Sequence, residues 1–338
     1  MGENRFVLPP AERPLDQTYD LAALDLDGVV YVGDHAVAGA AEGLKAARSR
    51  GMHLAFITNN ASRPPSTVAA HLSEIGIAAG ASDVVTSAQA AARLVADQVP
   101  VGSEVYVIGG PGLHEALTEH GLEPVVRLTD NPAAVVQGYG PDMPWRQVID
   151  GAILVKEGLP WVASNMDLTV PTTRGPGPGN GALVNLVAEY SGRTPQVAGK
   201  PERPLFEETL TRAGGQRPLV VGDRVDTDIW GAHNVGWDSL LVMTGVTRLP
   251  DLAALGQASR PTYVGADLSC LDLPVPALHV DESGCRVGGW CATVEGGRLV
   301  VRGEGERHDW WRAAAAALWT HLDATGHAAD PTGVEEPR

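Results

Sequence analysis

Two aspartates separated by one residue, Asp25 and Asp27, are the residues of this sequence whose spacing is best suited to chemistry. They follow the apolar run Leu21–Leu24 and precede Gly28, so the run is predicted to be a buried strand that ends in a loop. Neighbouring carboxylates repel each other, and keeping both ionised requires a cation or a shared proton. The segment therefore predicts a metal ligand, a proton donor or both; the alternative is a solvated Asp-Gly turn.

Three further polar groups are predicted to lie near these aspartates. Thr58 and Asn59 follow a second apolar run, and Asp223 and Asp228 follow a third. Lys200 lies between these two groups in the sequence. If the strands are parallel, their carboxyl ends meet at one edge of the sheet, where ligands bind in open α/β folds. The alternatives are a turn hydroxyl for Thr58 and a solvated loop lysine for Lys200.

Strands and helices alternate along the sequence, which predicts an α/β fold with a Rossmann-like, doubly wound parallel sheet. The predicted strands are residues 21–24, 54–57, 105–108, 133–136, 218–221 and 239–242. The predicted helices are residues 39–50, 86–98, 111–120, 145–157, 181–190, 204–213 and 229–234, with another after Pro65.

The alternation starts afresh near residue 84, which indicates a second α/β unit inserted into the first. We predict a catalytic core from residues 1–83 and 196–275, with residues 84–195 as the inserted cap domain. Beyond residue 275 the segments become short and alternating, so residues 276–325 are predicted to form a small α+β module and residues 326–338 a polar tail.

Several glycine-rich and aromatic segments are interpreted as structural. Arg174–Gly181 lacks the Gly-Lys-Ser/Thr ending of a phosphate loop, so we predict a turn that leads into a helix. Gly288-Gly289 and Gly296-Gly297 are predicted to be turns between short strands. Trp310 and Trp311 are expected to pack in a core; the alternative is a partner surface.

Composition restricts the partners. The chain has 338 residues and a net charge of −16, which argues against nucleic acid because that partner requires a basic surface. No apolar run is long enough to span a bilayer, and no apolar segment of a secretory signal is present near residue 1, so we expect no membrane partner and a cytoplasmic location. The three cysteines, Cys270, Cys285 and Cys291, lack metal-site spacing and are expected to be reduced thiols.

The four polar groups, in this order, resemble the four motifs of the haloacid dehalogenase superfamily of phosphohydrolases, from Asp20 to about Val246. The resemblance implies that Asp25 attacks phosphorus and forms an aspartyl phosphate, while Asp27 acts as general acid and base. Family members that cleave carbon–halogen bonds lack this second aspartate, so its presence favours phosphoryl transfer.

The resemblance also implies the remaining roles. Lys200 would screen the negative charges as a third catalytic residue, and Asp228 would orient the metal site, with Asp226 as the alternative. The implied phosphate-binding residues are Leu26, Gly28, Thr58 and Asn59. The implied ligands of a Mg²⁺ ion are Asp25, Asp27 and Asp223, with Asp27 acting through its main-chain carbonyl.

The insert lies where the superfamily places C2-type caps, and segments such as Thr58–Ser62, Ser164–Asp167 and Pro178–Leu183 resemble the p-nitrophenyl phosphatase-like branch. That branch implies a specificity loop, here with Asn165, Asp167 and Val170 as the candidate specificity residues. Val170 offers no surface on which a ring could stack, which favours a short leaving group. The implied partner is a small phosphorylated metabolite.

The layout resembles actinobacterial members of the branch that hydrolyse glycerol 3-phosphate and carry an extra carboxyl-terminal module. Glycerol 3-phosphate is therefore the expected substrate, which would place the enzyme in glycerophospholipid metabolism. Phosphoglycolate, pyridoxal phosphate and nucleotides are the alternatives within the branch. A catalytically silent binding protein is the alternative of another class, and the resemblance leaves a homodimer open.

Overall fold

The computed structural model describes residues 8–129, 131–172 and 174–337. The strands are β1 (Leu21–Leu24), β2 (Tyr31–Val32), β3 (His35–Ala36), β4 (His53–Thr58), β5 (Val84–Thr86), β6 (Glu104–Ile108), β7 (Glu123–Val125), β8 (Ala134–Gln137), β9 (Trp161–Ala163), β10 (Thr169–Thr172), β11 (Gly175–Pro178), β12 (Gln196–Val197), β13 (Pro218–Gly222), β14 (Asp238–Val242), β15 (Tyr263–Gly265), β16 (His279–Asp281), β17 (Gly284–Val287), β18 (Trp290–Glu295) and β19 (Arg298–Gly303).

The helices occupy the segments between these strands. They are α1 (Leu15–Thr18), α2 (Ala40–Ser49), α3 (Pro65–Glu74), α4 (Ser87–Ala96), α5 (Pro111–Glu119), α6 (Trp145–Glu157), α7 (Asn180–Ser191), α8 (Arg203–Ala213), α9 (Trp230–Val235), α10 (Leu249–Ala253) and α11 (Arg307–Thr325). The predicted strands and helices are confirmed, with ends that agree within about two residues. One addition is a π-helical turn, Val225–Ile229, which directly precedes α9.

The chain divides into two compact units. The first comprises Met1–Leu54, Ile75–Ile77 and Gly215–Arg338, and the second comprises Ala55–Glu74 and Ala78–Gly214. The domain boundaries predicted near residues 83, 195 and 275 stay a prediction.

In the first unit, β1, β13, β14 and β15 pair side by side, and all three pairings are parallel. The residues of β1 are fully buried, as expected for a parallel strand covered on both faces. Leu24 lies opposite Val221, so the residues that follow β1 and β13 leave the sheet at the same edge.

In the second unit, a parallel sheet has the strand order β12-β9-β8-β6-β7. Strands β4 and β5 pair in parallel, with Thr58 opposite Thr86. The turn predicted over Arg174–Gly181 is wrong in part. This segment does lead into α7, but Gly175–Pro178 is strand β11 and pairs antiparallel with β10.

The carboxyl-terminal part of the first unit is an antiparallel sheet of β16 to β19 with helix α11 packed against it. The predicted turns are confirmed, because Gly288-Gly289 joins β17 to β18 and Gly296-Gly297 joins β18 to β19. Trp310 and Trp311 are buried, with exposures of 2% and 6%, as predicted for core residues.

Helix α11 also satisfies backbone groups of the first unit's parallel sheet. The guanidinium Nε of Arg312 donates to the Val264 carbonyl of β15 at 3.1 Å. Nδ1 of His308 accepts the Ala266 N–H at 3.1 Å. Side chains of α11 therefore cover strand groups that would otherwise be open to pairing with another strand.

The predicted polar tail contacts this carboxyl-terminal sheet and helix. Asp330 forms a parallel bridge with Arg298, and Glu336 accepts a hydrogen bond from the Trp311 indole at 2.9 Å. The cysteines are free thiols, and burial raises the pKa of Cys270 to about 12, which keeps this thiol protonated. Among the described residues, no helix combines the length and apolar character that crossing a bilayer requires.

Candidate active site

An acidic cluster lies in the first unit, where β1 and β13 end. The Asp25 N–H donates to the Val221 carbonyl at 2.8 Å, which fixes Asp25 beside Asp223. Asp25, Asp223 and Asp228 each place a carboxylate oxygen within 4.8 Å of the other two. Asp223 and Asp228 are both 0% exposed. Burying carboxylates so close together is costly without a cation, so the cluster has the electrostatics of a metal site.

The loop after β14 holds Asp223 in this cluster. The Val246 N–H donates to Oδ2 of Asp223 at 2.5 Å, and the Thr247 N–H donates to its main-chain carbonyl at 3.2 Å. The Thr244 hydroxyl donates to the Gly28 carbonyl at 2.5 Å. The loop therefore connects the segment after β1 with the carboxylate after β13.

Two glycines make room for the Asp223 carboxylate. A Cβ on Gly245 would lie 1.9 Å from Oδ2 of Asp223, and a Cβ on Gly28 would lie 2.5 Å from the same oxygen. Gly28 also has a φ of +85°, which side chains disfavour. Both positions therefore require glycine while Asp223 keeps this orientation.

The two aspartates of the π-helical turn face different surroundings. Oδ2 of Asp228 accepts the Arg224 N–H at 3.1 Å, and the side chain points into the acidic cluster. Asp226 is exposed and pairs with the Arg224 guanidinium at 2.7 Å. Asp228 is therefore the aspartate of this turn that can influence a bound cation.

The turn after Asp25 is closed by backbone hydrogen bonds. The Leu26 carbonyl accepts the N–H groups of Val29 and Val30, and the Gly28 N–H donates to the Tyr31 carbonyl at 2.8 Å. Asp27, which lies in this turn, is exposed.

A second polar group, in the second unit, contains Thr58, Asn59 and Lys200. All three are buried, with exposures of 6%, 9% and 4%. Oδ1 of Asn59 accepts the Lys200 N–H at 2.7 Å, and Nδ2 of Asn59 donates to the Lys200 carbonyl at 3.1 Å. The structure therefore brings together two residues that are far apart in the sequence and were predicted to share a site.

The predicted specificity residues lie next to this group. Nδ2 of Asn165 donates to the Asn59 carbonyl at 2.6 Å, and Oδ1 of Asp167 accepts from Nδ2 of Asn59 at 3.2 Å. Val170 is half-buried in β10, opposite Gly177 of β11. The specificity loop predicted around Val170 is thus partly a strand.

Two residues of this group were missed from the sequence. The Ser87 hydroxyl donates to the Asn59 carbonyl at 2.6 Å, and Nδ2 of Asn180 donates to the Asn165 carbonyl at 2.8 Å. Each is the first residue of a helix, α4 or α7, directly after the N-cap residue. Polar residues are common at helix starts, so this position gave no signal for a site.

The acidic cluster fits a hard divalent cation. Its donors are carboxylate oxygens, the ligand type that Mg²⁺ prefers in proteins. The cluster contains neither histidine nor cysteine, the usual ligands of zinc. Asp25 and Asp223 would hold the cation, and Asp228 would orient it.

The sequence was compared with known families and proteins. Residues 22–123 match the family model of haloacid dehalogenase-like hydrolases, and residues 197–271 match a HAD-hydrolase-like model. The sequence is 40% identical over 327 residues to the D-glycerol 3-phosphate phosphatase of Mycobacterium tuberculosis. This match covers 93% of the chain and 90% of the relative. The chain belongs to the haloacid dehalogenase-like hydrolases.

One solved structure and one further relative were compared with this haloacid dehalogenase-like hydrolase. A crystal structure of M. tuberculosis glycerol phosphate phosphatase in complex with magnesium superposes with a TM-score of 0.81 at 40% identity, covering 91% of this chain and 92% of that one. The acid sugar phosphatase of Staphylococcus aureus is 36% identical over 253 residues, covering 74% of this chain and 96% of the relative. Nearly the whole S. aureus protein thus aligns with about three quarters of this chain.

Proposed function

We propose that this hydrolase is a Mg²⁺-dependent phosphomonoesterase that converts glycerol 3-phosphate to glycerol and phosphate. The observation that carries the proposal is the cluster of half-buried Asp25 with buried Asp223 and Asp228 at the ends of neighbouring strands. Such a cluster can bind a divalent cation and still present a carboxylate nucleophile. The substrate is chosen because the match to a D-glycerol 3-phosphate phosphatase extends over 93% of the chain.

Asp25 is the proposed nucleophile. Its carboxylate oxygen attacks phosphorus, the bond to the glycerol oxygen breaks, and an aspartyl phosphate forms. Asp27 protonates the departing oxygen and later removes a proton from the water that hydrolyses the aspartyl phosphate. A bound Mg²⁺ would neutralise charge on the phosphoryl group, held by Asp25, Asp223 and the main-chain carbonyl of Asp27.

The phosphoryl oxygens need donors besides the cation. We assign this role to the Thr58 hydroxyl, the Leu26 N–H and the Lys200 ammonium. Gly28 and Asn59 were also predicted from the sequence to bind phosphate. The Gly28 main-chain N–H donates to Tyr31, and the side-chain N–H groups of Asn59 donate to Lys200 and Asp167. Their contribution is therefore proposed to be positioning.

The proposed preference for glycerol rests on the specificity segment, residues 165–170, which contains the candidate residues Asn165, Asp167 and Val170. The Asp167 carboxylate accepts hydrogen bonds and can receive the two hydroxyl groups of glycerol. Asn165 holds this segment through its bond from Oδ1 to the Asp167 N–H, at 3.1 Å. Val170 presents a small apolar surface with no ring-stacking capacity, which disfavours pyridoxal and nucleoside leaving groups.

The substrate proposal is tested by phosphate release from a panel of esters with Mg²⁺ present. The panel contains glycerol 3-phosphate, 2-phosphoglycolate, pyridoxal phosphate, a nucleoside monophosphate and p-nitrophenyl phosphate. We expect kcat/KM to be highest for glycerol 3-phosphate, by about fivefold or more, because one well-placed hydrogen-bond acceptor contributes about 1 kcal/mol or more. A higher kcat/KM for another ester would overturn glycerol 3-phosphate as the proposed substrate. If no ester released phosphate, the result would favour the alternative of a catalytically silent binding protein.

We also propose that the hydrolase is a homodimer that associates through helices α6 and α7. These helices pack against each other, and each exposes a pair of large side chains four residues apart. The pairs are Trp145 with Ile149, and Leu186 with Tyr190, each between 43% and 58% exposed. Paired apolar side chains on a surface favour burial against another protein, and symmetric dimers are the commonest assemblies.

Light scattering coupled to gel filtration tests the dimer. We expect a mass of about twice the 35.4 kDa of one chain, and a shift towards one chain mass in the variant Trp145→Glu/Leu186→Glu. Val101→Glu is the matched control, because Val101 is 83% exposed and lies on neither helix. A single-chain mass for the unmodified protein, or an equal shift in the control, would contradict this interface.

A further inference from the structure

The side-chain amide of Asn59 uses both of its N–H donors in hydrogen bonds within the protein. An asparagine side chain has two N–H donors, and both are used here. Nδ2 donates to the Lys200 carbonyl at 3.1 Å and to Oδ1 of Asp167 at 3.2 Å. The remaining atom, Oδ1, is an acceptor and cannot bind an anionic phosphoryl oxygen. The Asn59 side chain therefore has no donor left for substrate.

The orientation of this amide is fixed by its partners. The Lys200 N–H can only donate, so the Asn59 atom that faces it at 2.7 Å must be the oxygen. The Lys200 carbonyl can only accept, so the atom that faces it must be the nitrogen. Exchanging the two atoms would bring two donors together and two acceptors together, which excludes the flipped amide.

The amide of Asn59 binds the main chain of Lys200 on both sides. Gly199, the preceding residue, packs closely against it, since a Cβ there would lie 2.5 Å from Oδ1 of Asn59 and 2.5 Å from the Ser164 carbonyl. This part of the chain therefore cannot shift without breaking the hydrogen bonds to Asn59. Because the ammonium is carried by this main chain, Asn59 determines where it can reach.

The main-chain carbonyl of Asn59 is also held by hydrogen bonds. It accepts from the Ser87 hydroxyl and from Nδ2 of Asn165, both at 2.6 Å. Oδ1 of Asn165 then accepts the Asp167 N–H. One buried residue thus contacts the lysine proposed to bind the phosphoryl group and the segment proposed to select the leaving group.

We propose that Asn59 is a positioning residue, whose carboxamide sets the place of Lys200 and ties it to Asp167. The inference rests on the proposed phosphatase function and changes the role of the Asn59 side chain from binding phosphate to holding the residue that binds it. It predicts that the effect of losing the Asn59 amide depends on the presence of the Lys200 ammonium.

The test is a double-mutant cycle with Asn59→Asp and Lys200→Met. Asn59→Asp keeps the size of the side chain and the acceptor for the Lys200 N–H but removes both donors. We expect kcat for glycerol 3-phosphate to fall about 10²-fold, with KM changing far less, because a small misplacement of a catalytic group has that effect. In the Lys200→Met background, the same substitution should lower kcat less than about twofold, since no ammonium remains to be misplaced.

A second measurement does not depend on turnover. The Kd of inorganic phosphate, with Mg²⁺ present, should rise about tenfold in Asn59→Asp and should not rise further when Lys200→Met is already in place. If the wild-type protein binds phosphate but releases none from any ester, the proposed function fails while this measurement still tests Asn59.

Asn60→Asp is the matched control. Asn60 is exposed and its Oδ1 accepts the Ser62 N–H at 2.9 Å, so the same substitution there keeps this acceptor and leaves both hydrogen bonds to the Lys200 main chain, and kcat should stay within about threefold of wild type. If Asn59→Asp does not fold, Asn59→Ser replaces it in the cycle. The proposal would be overturned if the double variant lost kcat and phosphate affinity by the product of the two single-variant factors. The Asn59 side chain would then act on phosphate independently of Lys200.

Discussion

Replacing Asp25 by asparagine is expected to lower kcat for glycerol 3-phosphate by at least about 10⁴-fold, because the amide cannot attack phosphorus. The substitution preserves the side-chain volume and removes one negative charge from the acidic cluster, so folding should be retained. The measurement is phosphate release, together with acid quenching after brief exposure to radiolabelled substrate. The wild-type protein should retain covalent label, and Asp25→Asn should retain none.

Asp226→Asn is the matched control for this experiment. Asp226 is exposed, lies outside the acidic cluster and forms an ion pair with Arg224, which contributes about 0–1 kcal/mol. Its loss should leave both the rate and the covalent label near wild-type values. Normal turnover by Asp25→Asn would refute Asp25 as the nucleophile. Loss of the covalent label in Asp226→Asn would show that the exposed Asp226 is itself required for formation of the aspartyl phosphate.

The sequence could predict the strands that end at the acidic cluster for a simple reason. Buried parallel strands are short apolar runs, and polar residues directly after them mark the carboxyl edge of the sheet. Asp25 and Asp223 both stand in this position, so their proximity follows once β1 and β13 are neighbours. The turns at Gly288-Gly289 and Gly296-Gly297 were predicted from a different signal, glycine pairs between short alternating segments.

The contacts that hold these side chains could not be predicted in the same way. Asp223 is held by the N–H groups of Val246 and Thr247, and backbone donors are common to nearly all residue types. One feature of the sequence does point to Gly245, because it follows β14 at the edge of the sheet where the aspartates after β1 and β13 lie. The reason for its small size, a carboxylate that leaves no space for a Cβ, depends on the folded structure.

The antiparallel pair β10 and β11 was missed because its composition opposes strand formation. β11 has the sequence Gly-Pro-Gly-Pro, and both residue types are rare inside strands. Close approach explains two of the neighbouring glycines: a Cβ on Gly179 would lie 2.4 Å from the Asp167 carbonyl, and one on Gly181 would lie 2.1 Å from the Met166 carbonyl. These two glycines are therefore required by the close approach of the Met166 and Asp167 main chain.

Magnesium is expected to stabilise the wild-type protein and to have no such effect on Asp223→Asn. A cation bound at the acidic cluster offsets the repulsion among Asp25, Asp223 and Asp228, so it favours the folded state by RT ln(1 + [Mg²⁺]/Kd), about 2.7 kcal/mol at a concentration 100 times Kd. Asp223→Asn removes one charge from the cluster. Its metal-free Tm should therefore equal or exceed that of metal-free wild type.

Thermal unfolding in EDTA and in Mg²⁺ tests this expectation. Wild type and Asp226→Asn should gain a few degrees of Tm with Mg²⁺, whereas Asp223→Asn should gain none and should lose turnover. Asp228→Asn should show a smaller Mg²⁺ shift than wild type, because Asp228 orients the cation and is not proposed to bind it directly. An equal Mg²⁺ shift in wild type and Asp223→Asn would place the cation elsewhere. A loss of the shift in Asp226→Asn would mean that the exposed aspartate of the π-helical turn takes part in binding, since its ion pair with Arg224 is otherwise too weak to change Tm.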